Sequence, residues 1–183
     1  MTDGMTLKRL NECIDTYNHN IIFEAMMNEN FENKKIRISN FPSHISENIA
    51  KFAYHKKYGK MPTWDTSVGD LQLVDIEPTQ QLEVKGSIDL FNGGPSSYGP
   101  KERWDLIYFV DGVDTLNYNY KVYEVRLSNT DDRWRNIKVS ETQTYQEQAN
   151  QGRRPRITFT KLIEQLNEND WELIFDGHVD EFK

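Results

Sequence analysis

The chain has 183 residues, a formal net charge of −7 and a hydrophobic fraction of 37%. This length suits one folded domain, and no apolar run approaches the ~20 residues needed to span a bilayer, so we expect no membrane partner. Cys13 is the single cysteine, which excludes an internal disulfide framework. The single cysteine and the lack of a signal-peptide core at the N-terminus together predict a cytoplasmic protein.

The first two predicted elements are helices. Apolar residues recur at helical spacing over residues 5–32, which predicts a long N-terminal helix. A second helix is predicted from Ser43 to Tyr58, because Pro42 stands at its start and Gly59 at its end. Glu47 lies in this helix, off the centre of its apolar stripe.

Strands dominate the rest of the chain. The predicted strands are Asp70–Asp75, Gln81–Leu90, Trp104–Gly112, Tyr120–Ser128 and Trp171–Phe175. Helical segments are predicted at Ile137–Gln151 and Thr160–Asn167. This order predicts an α/β (α+β) fold with a mixed central sheet flanked by helices, built as one domain over 1–183. We expect an N-terminal helical region over 1–40 and the core over 41–183.

The first two strands carry a candidate metal site. Glu83 and Lys85 project from one face of their strand, because side chains alternate. If the Asp70 strand pairs antiparallel through the turn at Glu77-Pro78, Asp70 comes close to Glu83. Two carboxylates ~4 Å apart repel by about 4 kcal/mol at an effective dielectric near 20, so such a pair typically holds a cation, shares a proton or stays apart in water. Oxygen ligands suit Mg²⁺, and Lys85 could orient an attacking water and stabilise a phosphate.

A plain structural interpretation competes with the metal site. Glu-x-Lys on a strand is commonly a solvated ion pair that contributes little. Gly69 and Gly86 favour the site, because they leave room for a ligand or a backbone to approach. Glu47 on the preceding helix could supply a further carboxylate, or it could be an ordinary surface residue.

Two segments carry side chains that read DNA, since arginine pairs with guanine and glutamine or asparagine with adenine in the major groove. One is the loop after the Glu83 strand, and the other is the region from residue 133 to residue 156. The candidate DNA-contacting residues are Ser96, Ser97, Tyr98, Lys101, Arg103, Arg133, Arg135, Thr142, Gln143, Gln146, Arg153, Arg154 and Arg156. Ordinary surface turns are the alternative for both segments.

These residues resemble a known family. GDL and LEVKGS resemble the PD-(D/E)XK nuclease signature, and GPSSYGPKERWDLIYFVDG and WRNIKVSETQTYQEQANQGRRPRI are similar to segments of small type II restriction endonucleases. The resemblance spans roughly Ile45–Phe159, with Gly69 in place of the proline often found before the first acid. It implies a restriction-endonuclease-like core in which Asp70 and Glu83 bind Mg²⁺, with Mn²⁺ as a substitute. It also implies that Lys85 is catalytic and that Glu47 is an extra catalytic carboxylate and metal ligand.

The resemblance predicts sequence-specific hydrolysis of double-stranded DNA. Cutting both strands with one site per chain calls for a homodimer on a palindromic sequence. The 5–32 helix, with Met26, Met27 and Phe31, is the candidate dimer surface, and core packing is its alternative role. A restriction function also implies a cognate DNA methyltransferase. The other functions left open are a structure-selective repair or recombination nuclease, a non-catalytic DNA-binding protein of this fold, and an interaction domain without a nucleic-acid partner.

Overall fold

The computed structural model describes residues 5–30, 36–64, 70–74, 76–96, 98–99 and 103–183. Its helices are α1 (Leu7–Asn30), α2 (Ser43–Tyr58), α3 (Tyr145–Asn150) and α4 (Phe159–Ile163). Its strands are β1 (Thr63–Trp64), β2 (Leu71–Leu73), β3 (Gln80–Ser87), β4 (Leu106–Asp111), β5 (Asn119–Val125) and β6 (Trp171–His178). Single 3₁₀ turns lie at Thr115–Asn117, Asp132–Arg135, Glu168–Asp170 and Val179–Phe182.

The six strands of this described part form one mixed sheet in chain order, β1 to β6. β3 and β4 are parallel, and the other neighbours are antiparallel. The predicted mixed sheet flanked by helices is therefore confirmed. A parallel pair needs a connection that returns to the same end of the sheet. Here that connection is residues 88–105, in which the described residues form turns and no helix or strand.

Each face of the sheet has its own hydrophobic cluster. Alternation along β4 sends Tyr108 and Val110 into one cluster and Phe109 into the other. The first cluster contains the apolar sides of α1 and α2. The second contains Trp104 of the 88–105 connection and Phe159 of α4. The sheet thus separates the N-terminal helices from the segments that carry the candidate DNA residues. The division into 1–40 and 41–183 within one domain stays a prediction.

The two N-terminal helices follow the sequence pattern. α2 has the predicted bounds and ends at Gly59, whose φ of 70° lets its N–H donate to the carbonyl of His55 at 2.8 Å. α1 begins two residues after the predicted start, and residues 31 and 32 of the predicted helix lie outside the described residues. Within the described ranges, no helix is both long and apolar enough to cross a membrane.

The helix predicted over Ile137–Gln151 is wrong for its first half. Residues 138 and 144 pair as an isolated antiparallel bridge, and α3 begins only after Thr144. Thr144 stops any earlier helix because it forms a capping box: its hydroxyl accepts from the Glu147 N–H at 3.2 Å, and the Glu147 carboxylate accepts from the Thr144 N–H at 2.7 Å. A residue that caps a helix has extended backbone and cannot lie inside one.

Smaller differences affect the other elements. The helix predicted at Thr160–Asn167 is shifted to Phe159–Ile163. β6 runs three residues beyond the predicted Phe175, and β3 ends at Ser87 rather than Leu90. Leu90 is buried in the second cluster, which takes the chain out of the sheet. β1 is too short to show an alternating pattern, and we did not predict it.

Candidate active site

The antiparallel pairing of β2 and β3 brings Asp70 to Glu83. Leu71 pairs with Leu82, so the residue before β2 stands opposite Glu83. The Asp70 N–H donates to the carbonyl of Leu82 at 3.2 Å, and its carboxylate accepts from the N–H of Val84 at 2.7 Å. Asp70 is therefore bonded to the residues on both sides of Glu83. This is the arrangement that the hairpin prediction required.

Glu83 and Lys85 form an ion pair along β3. Glu83 is 5% exposed, and its carboxylate is bonded to the Lys85 ammonium. A buried carboxylate needs a cation or several donors, because burial alone disfavours its charged form. Lys85 is half-buried and supplies that charge from the same face of the strand. The pair is thus part of the interior rather than a fully solvated surface pair.

Glu47 of α2 is the third carboxylate at this place. It is 9% exposed. Burial raises the pKa of Glu47 to about 7, with a further contribution from the negative charge of Asp70 and opposing contributions from Ser43 and Lys85. Electrostatic effects of this kind require proximity. Asp70, Lys85 and Glu47 are therefore close neighbours, as the prediction of a helix-borne carboxylate requires.

Gly86 explains how α2 comes so near to β3. A Cβ atom at this position would overlap the Ser46 side chain of α2 and the ring of Phe41. The missing side chain at Gly86 lets α2 lie directly on β3. Gly86 is next to Lys85 in the sequence, and its contact residue Ser46 is next to Glu47. Close packing at Gly86 thus positions the helix carboxylate.

The chemistry of these side chains fits a hard divalent cation. Three carboxylates supply oxygen donors, and the mutual repulsion of Glu47 and Asp70 is the kind that a cation relieves. Within the part of the chain that the structure describes, no three acidic, histidine or cysteine side chains are already arranged to hold an ion. Glu83 is bonded to Lys85, and Asp70 to the Val84 N–H. Metal binding would therefore require these carboxylates to exchange partners.

The structure joins the two predicted DNA segments. The N–H of Ile157 donates to the carbonyl of Ser96 at 3.1 Å. Gly99 lies against Tyr145, the first residue of α3, so closely that a Cβ atom would overlap the tyrosine ring and hydroxyl. The described residues of the loop after β3 are therefore in contact with the arginine-bearing segment.

The loop residues differ in their surroundings. Tyr98 is 3% exposed and packs edge-on against Phe109, with ring centroids 5.1 Å apart. Burial raises the pKa of Tyr98, and its hydroxyl has no hydrogen-bond partner among the described residues. Arg103 is exposed. The predicted positions Ser97 and Lys101 lie outside the described residues.

Arg133 and Arg135 have carboxylate partners. The Arg133 guanidinium contacts Asp131 at 2.7 Å and Asp170 at 2.8 Å, and the hydrogen bonds that it donates to Asp131 raise the pKa of Arg133. Arg133 therefore ties its 3₁₀ turn to the start of β6. Arg135 contacts Asp132 at 3.0 Å on the surface.

The remaining candidates present polar groups outward. Arg153 donates to the side chain of Gln143 at 3.1 Å, and Gln146 donates to Asn150 at 2.7 Å. Thr142, Arg154 and Arg156 are exposed. Arg156 lines a cleft of about 670 Å³ that starts at Gly86.

The same cleft contains an arginine that sequence reasoning missed. Arg37 lies on the segment before α2, is exposed, and donates to the side chain of Asn40 at 3.1 Å. Its only sequence signal is the basic stretch NKKIR, which is far in sequence from the other arginines. Its place beside the end of β3 follows from the tertiary fold.

A mixed sheet with carboxylates and a lysine on two paired strands, next to exposed arginines, agrees with the sequence-based expectation of a nuclease. Residues 5–165 match the sequence profile of the Bsp6I restriction endonuclease family. The type II restriction enzyme Bsp6I of Bacillus sp. (strain RFL6) is 30% identical over 148 residues, which cover 78% of this chain and 75% of that enzyme. No solved structure is significantly similar to the chain.

The chain therefore belongs to the Bsp6I restriction endonuclease family, and the prediction of a type II restriction endonuclease is confirmed. Enzymes of this type generally need a divalent metal ion. The matched region contains Glu47, Asp70, Glu83 and Lys85 together with both DNA segments. The family match also favours sequence-specific cleavage over the structure-selective and non-catalytic alternatives.

Proposed function

We propose that the protein hydrolyses double-stranded DNA in a Mg²⁺-dependent reaction at a site of the PD-(D/E)XK type, with Mn²⁺ as a working substitute. Three observations support this proposal: Asp70 is hydrogen-bonded to the residues on both sides of Glu83, Glu83 is paired with Lys85, and the charges of Asp70 and Lys85 act on the pKa of Glu47. Burying carboxylates beside one lysine costs free energy, and a purely structural role does not explain that cost. These side chains suit a site that binds a cation and a phosphate.

Each of these side chains has its own role in the proposal. Asp70 and Glu83 hold the metal, and Glu47 joins them after losing its proton. The bound ion supplies Lewis acidity, which stabilises negative charge on the phosphate and the leaving oxygen. With Glu83 committed to an ion, the Lys85 ammonium would be available to the substrate. This ammonium then orients the attacking water and neutralises charge on the phosphate.

Recognition belongs to the joined surface around α3. In our proposal Arg153, Arg154 and Arg156 contact phosphates and guanine edges, and Thr142, Gln143 and Gln146 contact neighbouring bases. The loop with Ser96, Ser97, Tyr98, Lys101 and Arg103 lies nearest the strand that is cut. Tyr98 would have to leave its buried place to reach a base. Arg133 and Arg135 act by charge and by holding the surface in shape.

We also propose the expected assembly. Two copies bind a palindromic site, each cutting one strand, because one chain carries one set of catalytic side chains. The exposed apolar side of α1 is the proposed contact between the copies. The chain works as a single nuclease domain in the cytoplasm, beside a methyltransferase that protects host DNA at the same sequence.

Digestion of DNA of known sequence tests the reaction. Unmethylated plasmid or phage DNA is incubated with the protein in Mg²⁺, Mn²⁺ or EDTA, beside Lys85→Ala and the control Lys8→Ala, an exposed lysine of α1. We expect discrete fragments in either metal and none in EDTA. Loss of general acid–base assistance predicts a rate at least about 100-fold lower for Lys85→Ala and an unchanged rate for the control.

Other patterns would contradict parts of the proposal. A metal-dependent smear would show that cleavage is not sequence-specific. Full cleavage by Lys85→Ala would remove the proposed role of the lysine. The absence of cleavage on several different DNAs, with DNA binding retained, would remove the catalytic site altogether.

A further inference from the structure

The arginines of the chain divide into two groups by their partners. The sequence has nine arginines. Four have a carboxylate partner: Arg9, Arg126, Arg133 and Arg135. The other five have no carboxylate partner among the described residues: Arg37, Arg103, Arg153, Arg154 and Arg156. In a chain with an excess of acids, guanidinium groups left without carboxylates are available for an external anion.

Four of these five arginines belong to the predicted DNA segments, and Arg37 is the exception in sequence. In space it shares the 670 Å³ cleft with Arg156. The cleft is lined by residues 37–41, by residues 86–89 after the catalytic lysine, by residues 93–96 and by Arg156. Two arginines from segments more than a hundred residues apart therefore line the same cleft beside the end of β3.

The cleft has the size and position that a DNA strand requires. Clefts of ~300–1,000 Å³ hold ligands of roughly drug size, and one nucleotide of a strand is such a ligand. The cleft begins at Gly86, the residue after Lys85. Gly93 and Gly94 line it without side chains, so a sugar–phosphate backbone can approach the chain closely. Asp89 is the one acidic residue among the described residues that line it.

We infer that this cleft holds the sugar–phosphate backbone of the strand being cut, and that Arg37 and Arg156 bind phosphates on it. This inference rests on the proposed function and adds to it a positioning residue, Arg37, outside the recognition segments. Arg37 and Arg156 fix the strand so that one phosphodiester lies at Lys85. They contribute to DNA affinity without discriminating between bases.

Salt titration separates phosphate binding from a structural role. The probe is a labelled duplex carrying the site mapped from the wild-type digestion, bound in EDTA at a series of salt concentrations. Each lost phosphate contact reduces the slope of log K against log salt by about 0.9. We expect that decrease for Arg37→Gln and for Arg156→Gln, with about fivefold weaker binding at about 0.15 M salt.

Two further variants make the test sharp. Arg9→Gln removes an exposed arginine of α1 that is paired with Glu12, and we expect the wild-type slope. Asp89→Asn removes a negative charge from the cleft, and we expect tighter binding, which a misfolded variant cannot produce.

The outcomes distinguish this inference from the function beneath it. If Arg37→Gln and Arg156→Gln keep the slope of Arg9→Gln while the wild type cleaves, the cleft is not the strand site and the nuclease reaction still stands. A short mixed-sequence duplex gives the same titration without cleavage. Reduced slopes on that duplex would support the cleft even if no DNA were cut, and an absence of DNA binding by the wild type would overturn both.

Discussion

Glu47 is a buried carboxyl group on an amphipathic helix, and its pKa is raised. The fold places its carboxyl away from water and beside the like charge of Asp70, so the folded protein favours the protonated form. The pKa of about 7 lies well above the ordinary value of 4.5. Between these values the folded state binds more proton than the unfolded state. The free energy of unfolding therefore falls as the pH rises through this window.

A pH series of urea unfolding in EDTA tests Glu47. The wild type should lose stability between about pH 5 and pH 8 relative to Glu47→Gln, which has no proton to release. Glu164→Gln, a change at an exposed glutamate, should follow the wild-type profile. Parallel profiles for wild type and Glu47→Gln would contradict the burial and the charge neighbours described for this carboxyl.

Gly99 lies at one of the two described contacts between the predicted DNA segments. Gly99→Ala would force a methyl group into Tyr145, at a φ of 156°. We expect a loss of stability of about 1–3 kcal/mol from overpacking, measured by urea unfolding. Gly93→Ala is the matched control, because its φ of 138° is similarly unfavourable but nothing lies within 4 Å of the added atom. Equal losses in the two variants would mean that the contact with Tyr145 is unimportant.

The residues of the candidate site differ in how far local sequence rules predict their positions. Asp70, Glu83 and Lys85 were found because strand alternation and antiparallel pairing are local rules. The position of Glu47 depends on where α2 packs, and that packing depends on the contact at Gly86, which local sequence rules do not predict. The burial of Tyr98 and the partners of Arg133 could not be read, because they depend on Phe109 and Asp170 from other parts of the chain.

At the scale of elements, α1 has an apolar side that the fold leaves uncovered. Ile22, Phe23 and Met26 are 47%, 59% and 56% exposed, and Ile36 nearby along the chain is 42% exposed. The N-terminal half of the same helix is covered, with Leu10 and Ile14 fully buried. The expected core-packing role thus holds for the first half, and the second half is the proposed contact surface. Phe31 lies outside the described residues.

Charge substitutions on α1 test the dimer. Phe23→Glu and Met26→Glu should convert the wild-type dimer into a monomer of 21.6 kDa by light scattering, because a carboxylate cannot be buried unpaired in an apolar contact. Leu173→Glu, at an exposed leucine of β6, should leave the mass unchanged. A monomeric wild type, or dimers in every variant, would remove α1 as the contact surface.

Elements with continuous patterns were predicted well, and short ones were not. The first half of α1, together with α2, β4 and β5, buries apolar side chains in the two clusters, which leaves a clear periodicity in the sequence. The Ile137–Gln151 region is polar, so its helical appearance came from composition alone. The capping box at Thr144 was present in the sequence, since Thr and Glu three residues later are its signature, and it could have corrected the helix start.

At the scale of the whole molecule, the net charge does not show which arginines are paired with carboxylates and which are not. A total of −7 argues against general affinity for DNA. Most acids near arginines on the α1 and β6 sides are engaged in ion pairs, whereas the arginines near the cleft have no such partners in the described residues. Such an arrangement favours a site that binds DNA locally and releases non-specific DNA at moderate salt.

The parallel pairing of β3 and β4 has a consequence for the evolution of specificity. The 88–105 connection must return the chain to the starting end of the sheet, so it has a structural role in addition to its proposed contact with DNA. Deleting part of it would break the register of the two central strands. New recognition sequences should therefore arise in this family by substitution or insertion here, while shortening should be tolerated only in loops between antiparallel strands.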